Sequence, residues 1–441
     1  MKKNFLITTL LATSALFFIS RGNDHALTSA QEKKGSPQKT IFLYQQAIEK
    51  NQEDWNAHYN LGIIFAHQRD YENAIKHFQA IISKNPESIT ALYNLAYCQR
   101  HNHLLHEALA TYNTVLALNN NHQDAHLGKA GTLLSLGQFE TAWNEFEYRL
   151  DNWQEFHQYF KYPSLNLSSL ASKKIILIAE WGQGDMLQFV RYAKALKQLG
   201  ATVYVQTFGS LVKLFSLCPY IDSVIKQGDR LPKADTRIPL LSTPLVFKTT
   251  VKTIPADIPY LYADQALVRE WQQKMAPNTQ FRVGICWRAT LQKNIPLAPF
   301  VEHLTRIPHT HFYSLVKNGT QDLQTTPQAQ CIVDFGPNFD SDHGSFMDTA
   351  AIMKNLNLVI TTDTSLAHLA GGLGIPVWVM LPYDCDWRWF FDRDDSPWYP
   401  TMRLFRQPKM GDWQTVFTAI SHELEKIIRD KIPLYSLATE I

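Results

Sequence analysis

Residues 180–185 read EWGQGD and follow directly on the apolar run KIILIA at 174–179. An apolar run of that length, closed by glycine, reads as a buried strand. Gly182 and Gly184 permit a tight strand-to-helix turn and let a ligand approach the backbone closely. Asp185 stands where a helix begins. A carboxylate there suits two roles: helix N-cap, or general base on a hydroxyl at the strand end where such sheets bind ligands. The glycine spacing is not GxGxxG, so no dinucleotide fingerprint is read from it.

A second stretch, TTDTSLAHLAGGLG at 361–374, lies between the apolar runs LNLVI (356–360) and PVWVML (376–381). The start of a helix offers unpaired N–H groups and partial positive charge, which suit phosphate. Thr364 and Ser365 add hydroxyl donors. Asp363 repels phosphate and is expected to accept from the hydroxyls of a sugar. N-capping by Asp363 or Thr364 is the plain alternative. His368 falls about one turn into the helix, where a packed, hydrogen-bonded ring is the simpler reading.

Three cations follow other strand ends. Arg288 and Lys293 lie in RATLQK, and Lys317 in SLVKNG. Alone each reads as a solvated loop residue; together on one rim they are expected to neutralise a diphosphate. The stretch DWRWFFDRDDSPWYP (386–400) reads as a packed loop with ion pairs, a few of its side chains lining a cleft. No HExxH, P-loop, GxSxG or EF-hand pattern occurs, and no metal site is expected.

The elements that must position these residues fall into two organisations. From residue 173 strand-like runs alternate with helical ones, at 174–179, 201–206, 281–287, 310–315, 332–335, 356–360 and 376–381. That order predicts two doubly wound parallel lobes with a cleft between them, joined by a linker helix over 263–276. Before residue 156 a repeat of 34 residues runs through Ala74, Ala108 and Ala142, through Phe78, Tyr112 and Phe146, and through Gly62, Ala96 and Ala130. This is the period of a tetratricopeptide helix pair. The third unit is looser, with Lys129 where the first two carry Leu61 and Leu95. Such an array serves as a peptide-binding groove or as a rigid spacer.

The net charge of +2 gives no global field for nucleic acid. Five widely spaced cysteines suggest neither a disulfide framework nor zinc. Lys2 and Lys3 precede an apolar run at 5–20 (FLITTLLATSALFFIS), which resembles a signal peptide or short anchor. The chemistry favours a cytoplasmic location, with membrane association through this segment or export as further expectations.

The stretches EWGQGDMLQFVRYAKALKQLGATVYVQ, TTDTSLAHLAGGLGIPVWVMLP and DWRWFFDRDDSPWYPTMRLFRQ resemble bacterial tetratricopeptide-repeat proteins ending in a glycosyltransferase module. That module is similar to the heptosyltransferases and, more distantly, to O-linked N-acetylglucosamine transferase. The resemblance covers roughly residues 40–425. It implies an α-solenoid followed by a GT-B fold of two Rossmann-like lobes. The expected division is a signal-like segment over 1–33, repeats over 34–156, a linker over 157–172, an acceptor lobe over 173–278 and a donor lobe over 279–441.

The implied activity is metal-independent transfer of a sugar from a nucleotide-sugar co-substrate to a protein or glycan hydroxyl. No cofactor is implied, and the repeat groove would recruit the acceptor or a peptide partner. Asp185 matches the proposed base of the heptosyltransferase-like group, in the loop of Gly182 and Gly184. Arg288, Lys293, Lys317, Asp363, Thr364, Ser365 and His368 would bind the donor. Lys293 stands where the family often has Arg, and Asn294 and Val316 replace polar residues. These departures leave a second reading, a non-catalytic repeat scaffold with a degenerate transferase-like domain.

Overall fold

The computed structural model describes residues 37–152, 167–275, 280–289 and 293–431. The chain divides into two compact units: Met1–His157 with Asp386–Phe391, and Gln158–Cys385 with Asp392–Ile441. Most of the expected linker over 157–172 lies outside the described residues.

In the first unit, α1 (Pro37–Lys50) precedes three helix pairs: α2 (Trp55–His67) with α3 (Tyr71–Lys84), α4 (Ile89–His101) with α5 (Leu105–Leu118), and α6 (Gln123–Ser135) with α7 (Phe139–Phe146). Asp54 and Asp70 cap α2 and α3, each accepting a backbone N–H of the first turn. All nine residues of the 34-residue register lie in these six helices, eight of them among the buried hydrophobic residues and Gly62 buried within α2. Gly62 shows why the register needs small residues. A Cβ there would lie 2.7 Å from Cζ of the buried Phe78 ring.

The looser third unit exchanges apolar contact for a polar network. Lys129 pairs with Glu145 at 2.7 Å, and Glu145 also meets Nδ1 of the buried His126. The His126 ring lies flat against Tyr148, centroids 3.5 Å apart. Asp386–Phe391 adds an aromatic cover to this last pair. Trp387 meets Trp143 and Phe146 edge-on, and Phe390 stacks on Phe139. An end repeat has one face without a neighbour, and covering it removes apolar area from water.

The second unit contains two all-parallel sheets. The first comprises β1 (Lys174–Ile178), β2 (Thr202–Thr207), β3 (Ser223–Lys226) and β4 (Thr236–Pro239) in the order β3-β2-β1-β4. The second comprises β5 (Phe281–Cys286), β6 (Thr310–Ser314), β7 (Ile332–Val333), β8 (Leu358–Thr362), β9 (Val377–Leu381) and β10 (Met402–Arg406) in the order β10-β9-β8-β5-β6-β7. Both are doubly wound, and together they give the two Rossmann-like lobes that the sequence pattern predicts. The strand order reverses beside β1 in one lobe and between β5 and β8 in the other, and ligands of such sheets bind at that reversal.

The predicted helix after β1 is two helices, α8 (Gln183–Phe189) and α9 (Arg191–Gln198), meeting at Val190. The linker helix is α10 (Gln265–Lys274), and its Trp271 donates to Asp348 of α11 (Met347–Met353) in the second lobe at 2.9 Å. Strands β3, β4 and β10 were not expected; the first two are only four residues long.

Arg191 joins the lobes. It is fully enclosed and has no carboxylate partner in its hydrogen-bond set. Its guanidinium donates to the carbonyls of Gln188 (2.8 Å), Trp398 (2.6 Å) and Pro255 (3.3 Å) and to the Tyr260 hydroxyl (3.0 Å). It also lies 4.5–4.6 Å from the Tyr260 and Tyr399 ring centroids. A guanidinium stays charged even when buried, and here peptide dipoles and aromatic faces replace its water. A second tie runs from Lys213 Nζ in the first lobe to the His343 carbonyl in the second, at 2.6 Å.

The expected membrane association is corrected. Among the described residues no helix is long and apolar enough to cross a membrane. The longest of them, α-helical over Trp413–Asp430, carries Glu423, Glu425, Lys426, Arg429 and Asp430. Residues 5–20, on which that expectation rested, lie outside the described residues. The five cysteines are free thiols, and all but Cys331 are buried.

Two predictions follow from this packing. Arg191→Met leaves buried carbonyls without their charged donor. It should destabilise the second unit by at least about 3 kcal/mol in a denaturant titration; a loss below about 1 kcal/mol would show that Arg191 fills space rather than holding the lobes. In the repeats, burial, with His58 and Lys76 nearby, pushes His77 down from 6.5 to about 4. Between those values the unfolded chain binds a proton that the folded chain does not, so stability falls as pH drops through that window. The thermal midpoint of the repeat unit should therefore fall less steeply from pH 6.5 to 4 in His77→Gln than in the wild type. Equal slopes would exclude His77 as the source.

Candidate functional site

The chain leaves β1 through Glu180, whose buried carboxylate accepts the Leu241 N–H at 2.9 Å, just after β4. This clamps the strand ends on either side of the reversal. Trp181 follows in the left-handed region, φ 51°, and is 37% exposed. Gly182 is the N-cap of α8, so Asp185 is its third residue and not its cap. The carboxylate reaches back to accept the Gly182 N–H at 3.0 Å, closing the helix start from inside. Asp185 is half-buried. The neighbouring Gln183 amide donates to Ser210 at 2.7 Å.

In the second lobe β8 ends at Thr362 and helix α12 runs over Ser365–Gly372. Thr364 is its N-cap and accepts the Leu366 N–H at 3.2 Å. Asp363 is buried just before it, and its Oδ2 meets Lys293 Nζ at 2.5 Å. The Lys293 carbonyl in turn accepts the Thr362 hydroxyl at 2.6 Å. Lys293 reaches from the loop after β5 and Asp363 from the end of β8, so the pair bridges the reversal of the second sheet. Asp363, expected to face sugar hydroxyls, meets an ammonium here.

His368 is buried, and its Nδ1 lies 2.8 Å from the Tyr399 hydroxyl. That hydroxyl also receives a 3.3 Å bond from Tyr260, the residue bound to Arg191. Burial raises the Tyr399 pKa well above its ordinary value, so the phenol stays neutral. His368 thus ends a chain that starts at Arg191.

The two motifs meet through Gly184. A Cβ there would lie 3.2 Å from His368 Cδ2 and 3.7 Å from the Ser365 Cα. The glycine admits the opposite lobe, and the turn carrying Asp185 rests on the first turn of α12. Two expected donor-binding cations are engaged elsewhere. Arg288 makes a two-pronged pair with Asp322, both bonds 2.6 Å, and donates to the Asn318 carbonyl. These hydrogen bonds hold the Asp322 carboxyl below its ordinary range. Lys317 donates to the Asp340 carbonyl at 2.9 Å. Of the three cations, Lys293 is the one hydrogen-bonded to the 363–368 turn among the described residues.

Sequence reasoning missed Arg191, Glu180 and Tyr399. Arg191 carried a faint signal, since in LQFVRYAKAL it falls four residues after Leu187 on the apolar face. For Tyr399 and Glu180 no local pattern reveals the partner, which comes from a distant element. The residues departing from the family pattern have structural partners: Asn294 Oδ1 accepts the Ala289 N–H at 2.7 Å, and Val316 is buried.

A sequence profile described as tetratricopeptide repeat matches residues 41–89, and one described as anaphase-promoting complex, cyclosome, subunit 3 matches residues 67–148. Protein FlbA of Caulobacter vibrioides is 22% identical over 338 residues, 67% of this chain and 54% of that protein. The chain therefore matches only about half the length of that relative. Among solved structures, a glycosyl transferase family 9 protein of Veillonella parvula aligns with 59% of this chain and 98% of its own, at 12% identity and TM-score 0.45. MamA of Desulfovibrio magneticus aligns with 30% of this chain and 73% of its own, at 16% identity and TM-score 0.27. With the 34-residue register and the helix pairs, the two profile matches make residues 41–148 tetratricopeptide repeats.

Proposed function

We propose that this chain transfers a sugar from a nucleotide-diphosphate donor to a hydroxyl of a protein or glycan acceptor. The observation that carries the reading is the meeting of two sheet reversals. The turn bearing Asp185 packs on the start of α12, where Lys293 and Asp363 also converge. Ligands of doubly wound sheets bind at such points. Helix N–H groups and an ammonium together suit a diphosphate, so the reaction needs no metal ion.

In this reading the Asp185 carboxylate takes the proton of the acceptor hydroxyl. The hydroxyl oxygen bonds to the anomeric carbon as the bond from that carbon to the diphosphate oxygen breaks. The electron pair goes to the departing diphosphate. The Lys293 ammonium and the first turn of α12, with Thr364 and Ser365, stabilise that charge. Asp363 holds Lys293 at the helix start before the donor arrives, and shares it afterwards. His368, braced by Tyr399, shapes the floor beneath the helix start. The repeats recruit the acceptor or a protein partner.

The test begins with calorimetric titration of the full chain with UDP-, ADP- and GDP-sugars. One of them should bind, and Lys293→Ala should weaken that binding about tenfold. Asp185→Asn keeps an acceptor for the Gly182 N–H but removes the base. It should lower turnover by about 10²-fold or more while leaving donor affinity unchanged. Binding of none of these donors rejects the transferase reading, and unchanged turnover in Asp185→Asn removes Asp185 as the base.

A further inference from the structure

Two consecutive residues at the end of β8 hold Lys293 at both ends. The Thr362 hydroxyl donates to its main-chain carbonyl at 2.6 Å, and the Asp363 carboxylate meets its ammonium at 2.5 Å. A lysine ammonium rides on a flexible four-carbon stem, so its place is set only when the backbone is fixed as well as the charge. The loop after β5 is closed on itself. The Ile295 N–H donates to the Trp287 carbonyl at 2.9 Å, and Asn294 Oδ1 accepts the Ala289 N–H at 2.7 Å. The Thr362 bond joins this loop to the neighbouring strand, across the reversal of the second sheet.

The residue type points the same way. Strand β8 reads LVITT, and all five residues are buried. Strands covered on both faces favour branched apolar residues. Valine has nearly the shape of threonine and brings no polar atom to satisfy. A hydroxyl without exposed surface destabilises a fold unless it is hydrogen-bonded. Thr362 is 0% exposed, and its hydroxyl goes to the Lys293 carbonyl. The strand would accept valine at this place; the loop carrying Lys293 calls for threonine.

We infer that Thr362 is a positioning residue that acts through Lys293. It holds the main chain of residue 293 so that the ammonium reaches Asp363 and the start of α12. The inference rests on the transferase reading for the diphosphate that the ammonium would meet, but the hold itself is measurable without any ligand.

The experiment is timed acetylation of the full chain with an N-hydroxysuccinimide ester, each lysine followed by peptide mass spectrometry. An ammonium engaged by a carboxylate reacts slowly, because the amine must first leave its partner and lose a proton. Thr362→Val should raise the Lys293 rate at least about threefold, and Thr362→Ser, which keeps the hydroxyl, should restore it to near the wild-type rate. Lys317, held by the Asp340 carbonyl, is the internal reference and should not change. Equal Lys293 rates in wild type and Thr362→Val overturn the inference, and so does a rise that Lys317 shares, which would show general loosening. Calorimetry then takes the nucleotide-sugar that binds the wild type. Thr362→Val should weaken it about fivefold, and should add nothing in a Lys293→Ala background. An equal loss in both backgrounds shows that Thr362 does not act through Lys293 and overturns the inference. If the Lys293 rates change as expected but no nucleotide-sugar binds the wild type, the hold stands and the transferase reading falls.

Discussion

The two-lobed unit depends on how one buried positive charge is solvated. Arg191 has exchanged water for three carbonyls, one phenol and the faces of Tyr260 and Tyr399. Those partners come from the first lobe, from the connection before α10, and from the chain between β9 and β10. A carbonyl bond to a charged donor is directional, and leaving any of these groups unpaired is costly. The charge therefore fixes where the three segments meet. Tyr260 and Tyr399 in turn fix His368, and His368 with Gly184 fixes the distance between the two motif turns.

Charge at the candidate site is similarly arranged in advance. Lys293 is partly exposed, at 32% of its side chain, while Asp363 is almost enclosed at 6%. The aspartate is thus anchored and the ammonium is its movable partner. In the proposed reaction an anion at the start of α12 would meet a cation already in place, which would lower the reorganisation needed to stabilise it. Arg288 and Lys317 brace the loops around the site through Asp322 and Asp340.

The repeat unit rests on a different physical basis. Its helices cross closely because Gly62 leaves room for the Phe78 ring and Gly128 for the Tyr112 ring, with the register alanines buried beside them. That packing is local and periodic, with contacts a few tens of residues apart. The third pair departs from it at Lys129, which stands where the earlier units carry Leu61 and Leu95, and the compensation is visible: Lys129 joins Glu145 and His126 in a polar network. Asp386–Phe391 supplies the aromatic cover for the same pair.

Period and pattern by themselves determined the helix pairs, six apolar strands of five or six residues, the place of the two-residue β7, and the two turns that carry Asp185 and Asp363. These features are local: a 34-residue register, a run of β-branched residues, a glycine at a strand end. Strands β3 and β4 were illegible because SVIK and TRIP mix polar and charged residues with apolar ones and form no apolar run. Only the tertiary structure decided the partners of each charge. Lys293 and Asp363 are 70 residues apart, and Arg191 and Trp398 are 207 apart. A side chain's chemistry states what it needs, a counter-charge or an acceptor. Which distant group supplies it follows from the order of strands in the sheets and the close packing between them, and neither is written in the spacing of any one motif.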